Sequence, residues 1–318
     1  MIAAVTGGTG FIGRKLVARL LDRGDTVRLL TRNLTLSEKL SFLETHGCDL
    51  LTAKVNELSA ILDGVDVLYH CAGQLKDPHT MRALHVDATQ KLAEAAARRV
   101  PHWVQLSSVG VYGPITRGIV TEDSALNPVG QYETTKAESD KIVIDAANKG
   151  GFSHSILRPS NVFGADMSNQ SLFGMIAMID KGLFFYIGKP GASANYIHVN
   201  NVAEGLIRCG TMPSAKGKTY NLSDHCTMEH FVGIISDALG RTSPRLRIPR
   251  AVAQLAGNTL GRLPGFPLTS SRVHALANYS RYPISRIQQQ LGYQHVVSMD
   301  DGLRELVTAY KQRSRHIN

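Results

Sequence analysis

Through the first half of the chain, short apolar runs alternate with longer stretches whose apolar residues recur at helical spacing. Ile2 to Thr6 predicts a first strand, and Phe11 to Arg23 the helix that follows it. Thr26 to Thr31 predicts a second strand, ending in a polar turn. Val65 to Tyr69 and Trp103 to Leu106 are further apolar runs bounded by polar or turn residues. Between them, Met81 to Arg99 carries Leu84, Leu92 and Ala96 at helical spacing. Strands alternating with helices predict an α/β fold, a doubly wound parallel sheet with crossover helices. After Arg158-Pro159, proline and glycine punctuate the chain more often. Ala194 to Val199 is strand-like and predicts a return to the sheet, so a smaller second domain is expected from two separate stretches. No internal repeat or low-complexity linker is present.

Composition narrows the class. The 318 residues, 43% hydrophobic and 19% charged, suit one large α/β unit with a smaller domain. Met1 directly precedes the first apolar run, and no apolar run approaches the roughly 20 residues of a membrane span. A cytoplasmic protein with no integral membrane segment is therefore expected. Cys48, Cys71, Cys209 and Cys226 lie far apart and read as free thiols. The twelve histidines show no ligand spacing, so no metal is expected.

The net charge of +9 is placed unevenly. From Arg241 onward stand twelve of the 35 Lys and Arg but three of the 26 acids, Asp300, Asp301 and Glu305, leaving 23 of each before that point. A solvated basic face explains this, as would a diphosphate-bearing ligand or an anionic membrane surface. The basic residues are not interleaved with aromatics, so nucleic acid is not expected.

Candidate chemistry begins at residue 6. Thr6-Gly-Gly-Thr-Gly-Phe-Ile-Gly13 places glycines at 7, 10 and 13 between a strand and a helix. Gly7 allows a sharp turn, Gly10 lets backbone approach a pyrophosphate, and Gly13 lets helix and strand pack closely. The helix N-terminus then offers unpaired amides to phosphate, with Phe11 and Ile12 beside it. This predicts a Rossmann-type dinucleotide-binding domain over residues 1–164 and 194–222, and a discontinuous substrate-binding domain over 165–193 and 223–318. The second strand ends Leu30-Thr31-Arg32-Asn33, without the carboxylate that would hold the adenosine ribose of NAD. Arg32 suits the 2′-phosphate of NADP, which is preferred here over NAD.

Tyr132-Glu-Thr-Thr-Lys136 puts a phenol and an ammonium on one helix face. The ammonium is expected to lower the phenol pKa and make Tyr132 a general acid or base. Ser107-Ser108-Val-Gly-Val-Tyr-Gly113 follows a strand at the carboxyl edge of the sheet, where a hydroxyl can hold a substrate oxygen in line with Tyr132.

With these residues, the chain resembles extended short-chain dehydrogenases/reductases of the NAD-dependent epimerase/dehydratase family. The resemblance runs through His70-Cys-Ala-Gly73, Leu157-Arg-Pro-Ser-Asn-Val-Phe-Gly164, Tyr196-Ile-His-Val-Asn-Asn-Val202 and Tyr220-Asn-Leu-Ser223. It ends with Leu291-Gly-Tyr293 and Met299-Asp-Asp-Gly-Leu303. It implies that Ser108 polarises the substrate oxygen, Tyr132 is the acid/base and Lys136 also binds the nicotinamide ribose. It implies close cofactor approach at Ala72 and Gly73, and a nicotinamide side lined by Pro159, Asn161 and Val162, with Asn161 reaching substrate. Two positions depart from the family. His85-Val-Asp-Ala-Thr89 replaces an Asn-Val-x-Gly-Thr block, making His85 a structural or surface residue, and Lys54 stands where an aspartate near the adenine is usual.

The implied activity is hydride transfer at a sugar carbon of a nucleotide-linked sugar, by a C4-epimerase or 4-ketoreductase, with Arg272 and Arg281 as phosphate partners. Ile284 to Tyr293, followed by Val297-Ser-Met-Asp-Asp, also resembles 3β-hydroxysteroid dehydrogenase relatives. A reductase or dehydrogenase of steroid-like or other lipophilic alcohols and ketones is therefore the second expectation. A non-catalytic dinucleotide-sensing or assembly protein is the third. A homodimer is expected from the family. The Met-, Ile- and Phe-rich stretch Leu172 to Tyr186 is expected to cap the pocket or fill the core. Pro249 to Arg262, apolar with arginines at its ends, reads as a helix lining the substrate domain, with a membrane surface as the alternative.

Overall fold

The computed structural model describes residues 1–32, 42–75, 77–167, 171–260 and 270–315. Seven parallel strands form its central sheet: β1 (Ile2–Thr6), β2 (Thr26–Thr31), β3 (Leu43–Gly47), β4 (Val67–His70), β5 (His102–Leu106), β6 (Ser153–Pro159) and β7 (Lys218–Leu222). Their order is β7-β6-β5-β4-β1-β2-β3. Helices cover both faces, which is why Ala3, Ala4 and Val5 of β1 are all completely buried. On one face, Leu16, Val17 and Leu20 of the helix Phe11–Asp22 pack with Val202, Leu206 and Ile207 of the helix Val199–Thr211. On the other, Leu58 and Leu62 meet Leu92, Ala95 and Ala96. The chain leaves β1 for β2 on one side, whereas β4 lies on the other. The crevice above β1 and β4 is thus the topological switch point where α/β sheets bind ligands.

A second core lies beyond the carboxyl edge of this sheet. It gathers Phe173 and Ile176 of the helix Ser171–Asp180, Phe231 and Ile235 of Met228–Leu239, and Leu303 and Leu306 of Met299–Arg315. The expected return of Ala194 to Val199 to the main sheet is corrected here. The strand is Ser193–His198, and it belongs to a separate three-stranded sheet, parallel to Asn161–Phe163 and antiparallel to Asp224–Thr227. The segment that rejoins the central sheet is β7. The helix expected over Met81 to Arg99 is also divided: Pro78–Arg82, a π-turn at Ala83–Asp87, then Ala88–Ala96.

Candidate active site

The glycine loop is shaped by contacts that exclude side chains. Gly7 has φ +67°, and a Cβ there would lie 2.6 Å from the Ala72 amide nitrogen. A Cβ on Gly13 would lie 2.1 Å from the Gly7 carbonyl oxygen. Gly10 opens the helix Phe11–Asp22 without any side-chain cap, leaving its first amides to a ligand. A cradle that closes on backbone in this way fits a dinucleotide pyrophosphate.

Gly7, Gly10, Phe11, Ile12 and Gly13 form one end of a cavity of about 990 Å³. Gly73, Ser108, Tyr132, Lys136, Pro159, Asn161 and Val162 border the same space. Ala72 is buried beneath the loop, its N–H donating to Thr6 Oγ1 at 3.3 Å. Arg32 is exposed just after β2, away from the cavity wall. Lys54 is likewise exposed and away from it, starting the helix Val55–Leu62.

The helix Gln131–Asn148 carries Tyr132 and Lys136. The Ser108 hydroxyl interacts with the Tyr132 phenol and lowers its pKa, and Ser108 Oγ accepts the Gly110 N–H at 3.1 Å. Burial pushes the Tyr132 phenol up to about 12, with Glu133 adding to the rise. The expected depression by Lys136 is therefore corrected. The Lys136 ammonium is turned to the Leu106 carbonyl, to which it donates at 2.8 Å, and it lies beside Gly73. Burial lowers the Lys136 pKa, opposed by the Asp140 charge. Tyr132 thus stands protonated, ready to give a proton rather than to take one.

Asp140 escaped the sequence reading, which held Ser107, Tyr112 and Arg158 only as members of longer motifs. Ser107 Oγ donates to Asp140 Oδ2 at 2.8 Å, and Arg158 reaches the same oxygen from Nε at 3.3 Å and from its terminal nitrogen at 3.1 Å. Arg158 also donates to the Tyr112 hydroxyl at 3.1 Å, which donates to Asn221 Oδ1 at 2.8 Å. The Asp140–Arg158 pair is buried directly behind Lys136 and β5. The signal for it was Asp140 one helical turn after Lys136, on the same face.

His85 is a structural residue and not a surface one. Its Nε2 accepts the Gln74 N–H at 2.9 Å, so Nδ1 carries the proton and donates to Thr135 Oγ1 at 2.8 Å. Thr135 passes the chain on to the Gln131 carbonyl at 2.8 Å. The ring lies edge-on to Tyr132, with centroids 5.7 Å apart. Burial and the Lys136 charge drop its pKa to about 3, holding it neutral.

The far half of the cavity is different in kind. Met167, Leu172, Met175, Met178, Phe184 and Met228 line it together with the uncharged Ser193, Asn195, Tyr196 and Asn278, and Lys136 is the one charged side chain among the described residues that border the cavity. Arg281, expected on a phosphate, is corrected: it stands exposed on the strand Tyr279–Arg281. Alternation along that strand buries Ser280 and turns Arg281 out. The Arg272 side chain lies outside the described residues. Among the described residues no group of histidines, cysteines and carboxylates could hold a metal ion, and no helix is long and apolar enough to cross a membrane.

The sequence profile of the NAD dependent epimerase/dehydratase family matches residues 3–223. The chain belongs to this family. It is an NAD-dependent oxidoreductase-type enzyme with a Rossmann-type sheet. Among its relatives, a 4-hydroxy-2-methyl-3-oxo-4-farnesyl-3,4-dihydroquinoline-1-oxide ketoreductase of Stigmatella aurantiaca is 27% identical, over 94% of this chain and 89% of the relative. A 3 beta-hydroxysteroid dehydrogenase/Delta 5-->4-isomerase of Mycobacterium tuberculosis is 27% identical, over 96% and 89%. A UDP-glucose 4-epimerase of Mycolicibacterium smegmatis is 26% identical, over 99% and 100%. In fold, the chain is similar to a UDP-glucuronic acid 4-epimerase of Bacillus cereus solved with NAD (TM-score 0.75, 20% identity, 98% of this chain and 99% of that one).

Proposed function

We propose that this enzyme reduces a lipophilic ketone, or oxidises the corresponding alcohol, with a nicotinamide dinucleotide. The observation that carries the reading is the far half of the cavity, where Met, Leu and Phe predominate, Ser193, Asn195, Tyr196 and Asn278 are uncharged, and no charged side chain borders it among the described residues beyond Lys136. Apolar walls favour an apolar ligand through its release from water, about 25 cal/mol per Å² buried. A sugar diphosphate would find no cationic partner there among the described residues, and a desolvated charge without one costs several kcal/mol.

A bound nicotinamide supplies the hydride to the carbonyl carbon. Ser108 would hold the carbonyl oxygen through its hydroxyl, and Tyr132 would deliver its phenolic proton to that oxygen, yielding the alcohol. The raised Tyr132 pKa keeps the phenol protonated, the form that the reductive step needs. Lys136, fixed on the Leu106 carbonyl, would hold the nicotinamide ribose. The glycine loop would take the pyrophosphate and Arg32 the 2′-phosphate, making NADPH the preferred donor. Two relatives whose names specify a farnesyl-bearing ketone and a steroid support the reading.

A second reading, C4 epimerisation of a nucleotide sugar in a homodimer, is supported by the UDP-glucose 4-epimerase relative, aligned over nearly the whole of both chains. Incubation with NADPH or NADH and a steroid ketone, or with NAD and UDP-glucose, separates the two. Loss of nicotinamide absorbance with the ketone supports the first reading. Interconversion of UDP-glucose without net cofactor use supports the second and overturns the first.

A further inference from the structure

The helix Arg250–Leu260 is built inside out. Its inward residues are small: Ala253 and Ala256 pack on Ile187, Val273 and Ala277. Val252 and Leu255 of the same helix face water, 56% and 68% exposed. An ordinary surface helix does the reverse.

The neighbouring elements repeat the pattern. The strand Arg247–Ile248 pairs with Tyr186–Ile187, and the Leu246 carbonyl accepts the Tyr186 N–H at 2.9 Å. Leu246 is 64% exposed, and Leu183, just before the partner strand, 61%. Four exposed aliphatic side chains therefore stand on one packed unit of two short strands and a helix.

Cations flank them along the chain. Lys181, Lys189 and Arg245 are exposed and Arg250 half-buried, and none makes an ion pair among the described residues. The nearby acids are already engaged, Asp180 with Arg241 and Glu229 with Arg247. The three acids that follow residue 241 all stand on another helix, Met299–Arg315. Exposed aliphatic side chains with cations beside them in the chain, unpaired among the described residues, complement an anionic lipid surface in both charge and polarity. The same unit is also a wall of the active-site cavity, which Phe184 and Phe185 border immediately after Leu183, along with Leu276.

We propose that this face docks on an anionic lipid bilayer. Leu183, Leu246, Val252 and Leu255 enter the boundary between head groups and acyl chains, and Lys181, Lys189, Arg245 and Arg250 lie on the head groups. The inference extends the reading of a lipophilic substrate, because the bilayer is where such a molecule concentrates.

The test is co-sedimentation of the full chain with phosphatidylcholine vesicles, with and without phosphatidylglycerol. Val252→Glu/Leu255→Glu and Arg245→Glu/Arg250→Glu serve as variants, with dinucleotide binding checking that each is folded. Each surface cation contributes about a fivefold gain on an anionic membrane, so removing two should weaken binding by roughly thirtyfold or more. The expected result is binding that requires phosphatidylglycerol and is lost in both variants while dinucleotide affinity stays. No binding to anionic vesicles, or equal binding by the variants, overturns the proposal. So does a dimer that Val252→Glu/Leu255→Glu dissociates in protein that ignores vesicles, because a second copy then covers the face. Vesicle binding needs no substrate, so an enzyme that docks but turns over UDP-glucose refutes the substrate reading and leaves the docking intact.

Discussion

Replacing Arg158 with methionine keeps much of the side-chain stem and removes the guanidinium that faces Asp140. Asp140 is 1% and Arg158 4% exposed, so water cannot take the place of the lost partner. Asp140 would keep the Ser107 hydroxyl as its hydrogen-bond donor and the more distant charge of Lys136. Breaking one side of a buried ion pair costs about 3–5 kcal/mol, and the expected loss of stability is in that range. Asp140→Asn/Arg158→Met, which leaves no charge behind, should recover most of it. The pH dependence gives a second check. Burial already raises the Asp140 pKa, with Arg158 pulling it down, so the variant raises it further. A folded-state pKa above the unfolded value means that the folded protein binds its proton first. The penalty is therefore full above the raised pKa and fades as pH falls toward the unfolded value near 3.9. Urea unfolding followed by the single buried tryptophan, Trp103, measures both quantities. A deficit under about 1 kcal/mol at neutral pH, or one that widens on acidification, refutes the reasoning.

Tyr132→Phe is expected to lower kcat by about a hundredfold or more while dinucleotide affinity, read by fluorescence titration, stays within about twofold. Gly13→Ala puts a methyl group 2.1 Å from the Gly7 carbonyl oxygen and should weaken dinucleotide binding at least about tenfold in the same titration. Arg32→Ala should weaken NADPH about tenfold and leave NADH unchanged, since a charge-assisted bond is worth about 1.5–3 kcal/mol; equal losses for both would place Arg32 away from the phosphate. His85→Leu strands the Gln74 N–H and removes the donor to Thr135 Oγ1, and should cost about 1–3 kcal/mol in urea unfolding.

The elements legible in the sequence are those whose signal is local. β1, the glycine loop and the helix after it are encoded in consecutive residues, since turn, cradle and packing each need a glycine at a fixed place. β3 escaped because Leu-Glu-Thr-His-Gly is an edge strand with one side in water, and its pattern is mostly polar. β6 escaped because it begins with Ser153, His154 and Ser155, whose burial is made possible by contacts such as those of Ser153 and Ser155 with His102 on β5. The Asp140 cluster joins residues 18 and 33 positions apart, a proximity that only the assembled sheet creates. Arg281 shows the opposite failure. Its charge is plain in the sequence, but the face it takes is set by strand pairing. For Tyr132 and Lys136, four-residue spacing placed both on one helix face, while the direction of the ammonium was decided by the Leu106 carbonyl.

The methionines of the cavity wall carry a liability as well as a fit. Met167, Met175, Met178 and Met228 are unbranched and polarizable, so the wall can repack around ligands of unlike outline, and substrate range should be broad rather than narrow. Each thioether is also oxidisable to a sulfoxide, which replaces an apolar surface with a strong dipole. Peroxide treatment is thus expected to raise KM for a lipophilic ketone well before it touches dinucleotide affinity, and a methionine sulfoxide reductase should restore it. The half of the site that selects the substrate is then the half that oxidation of methionine would alter.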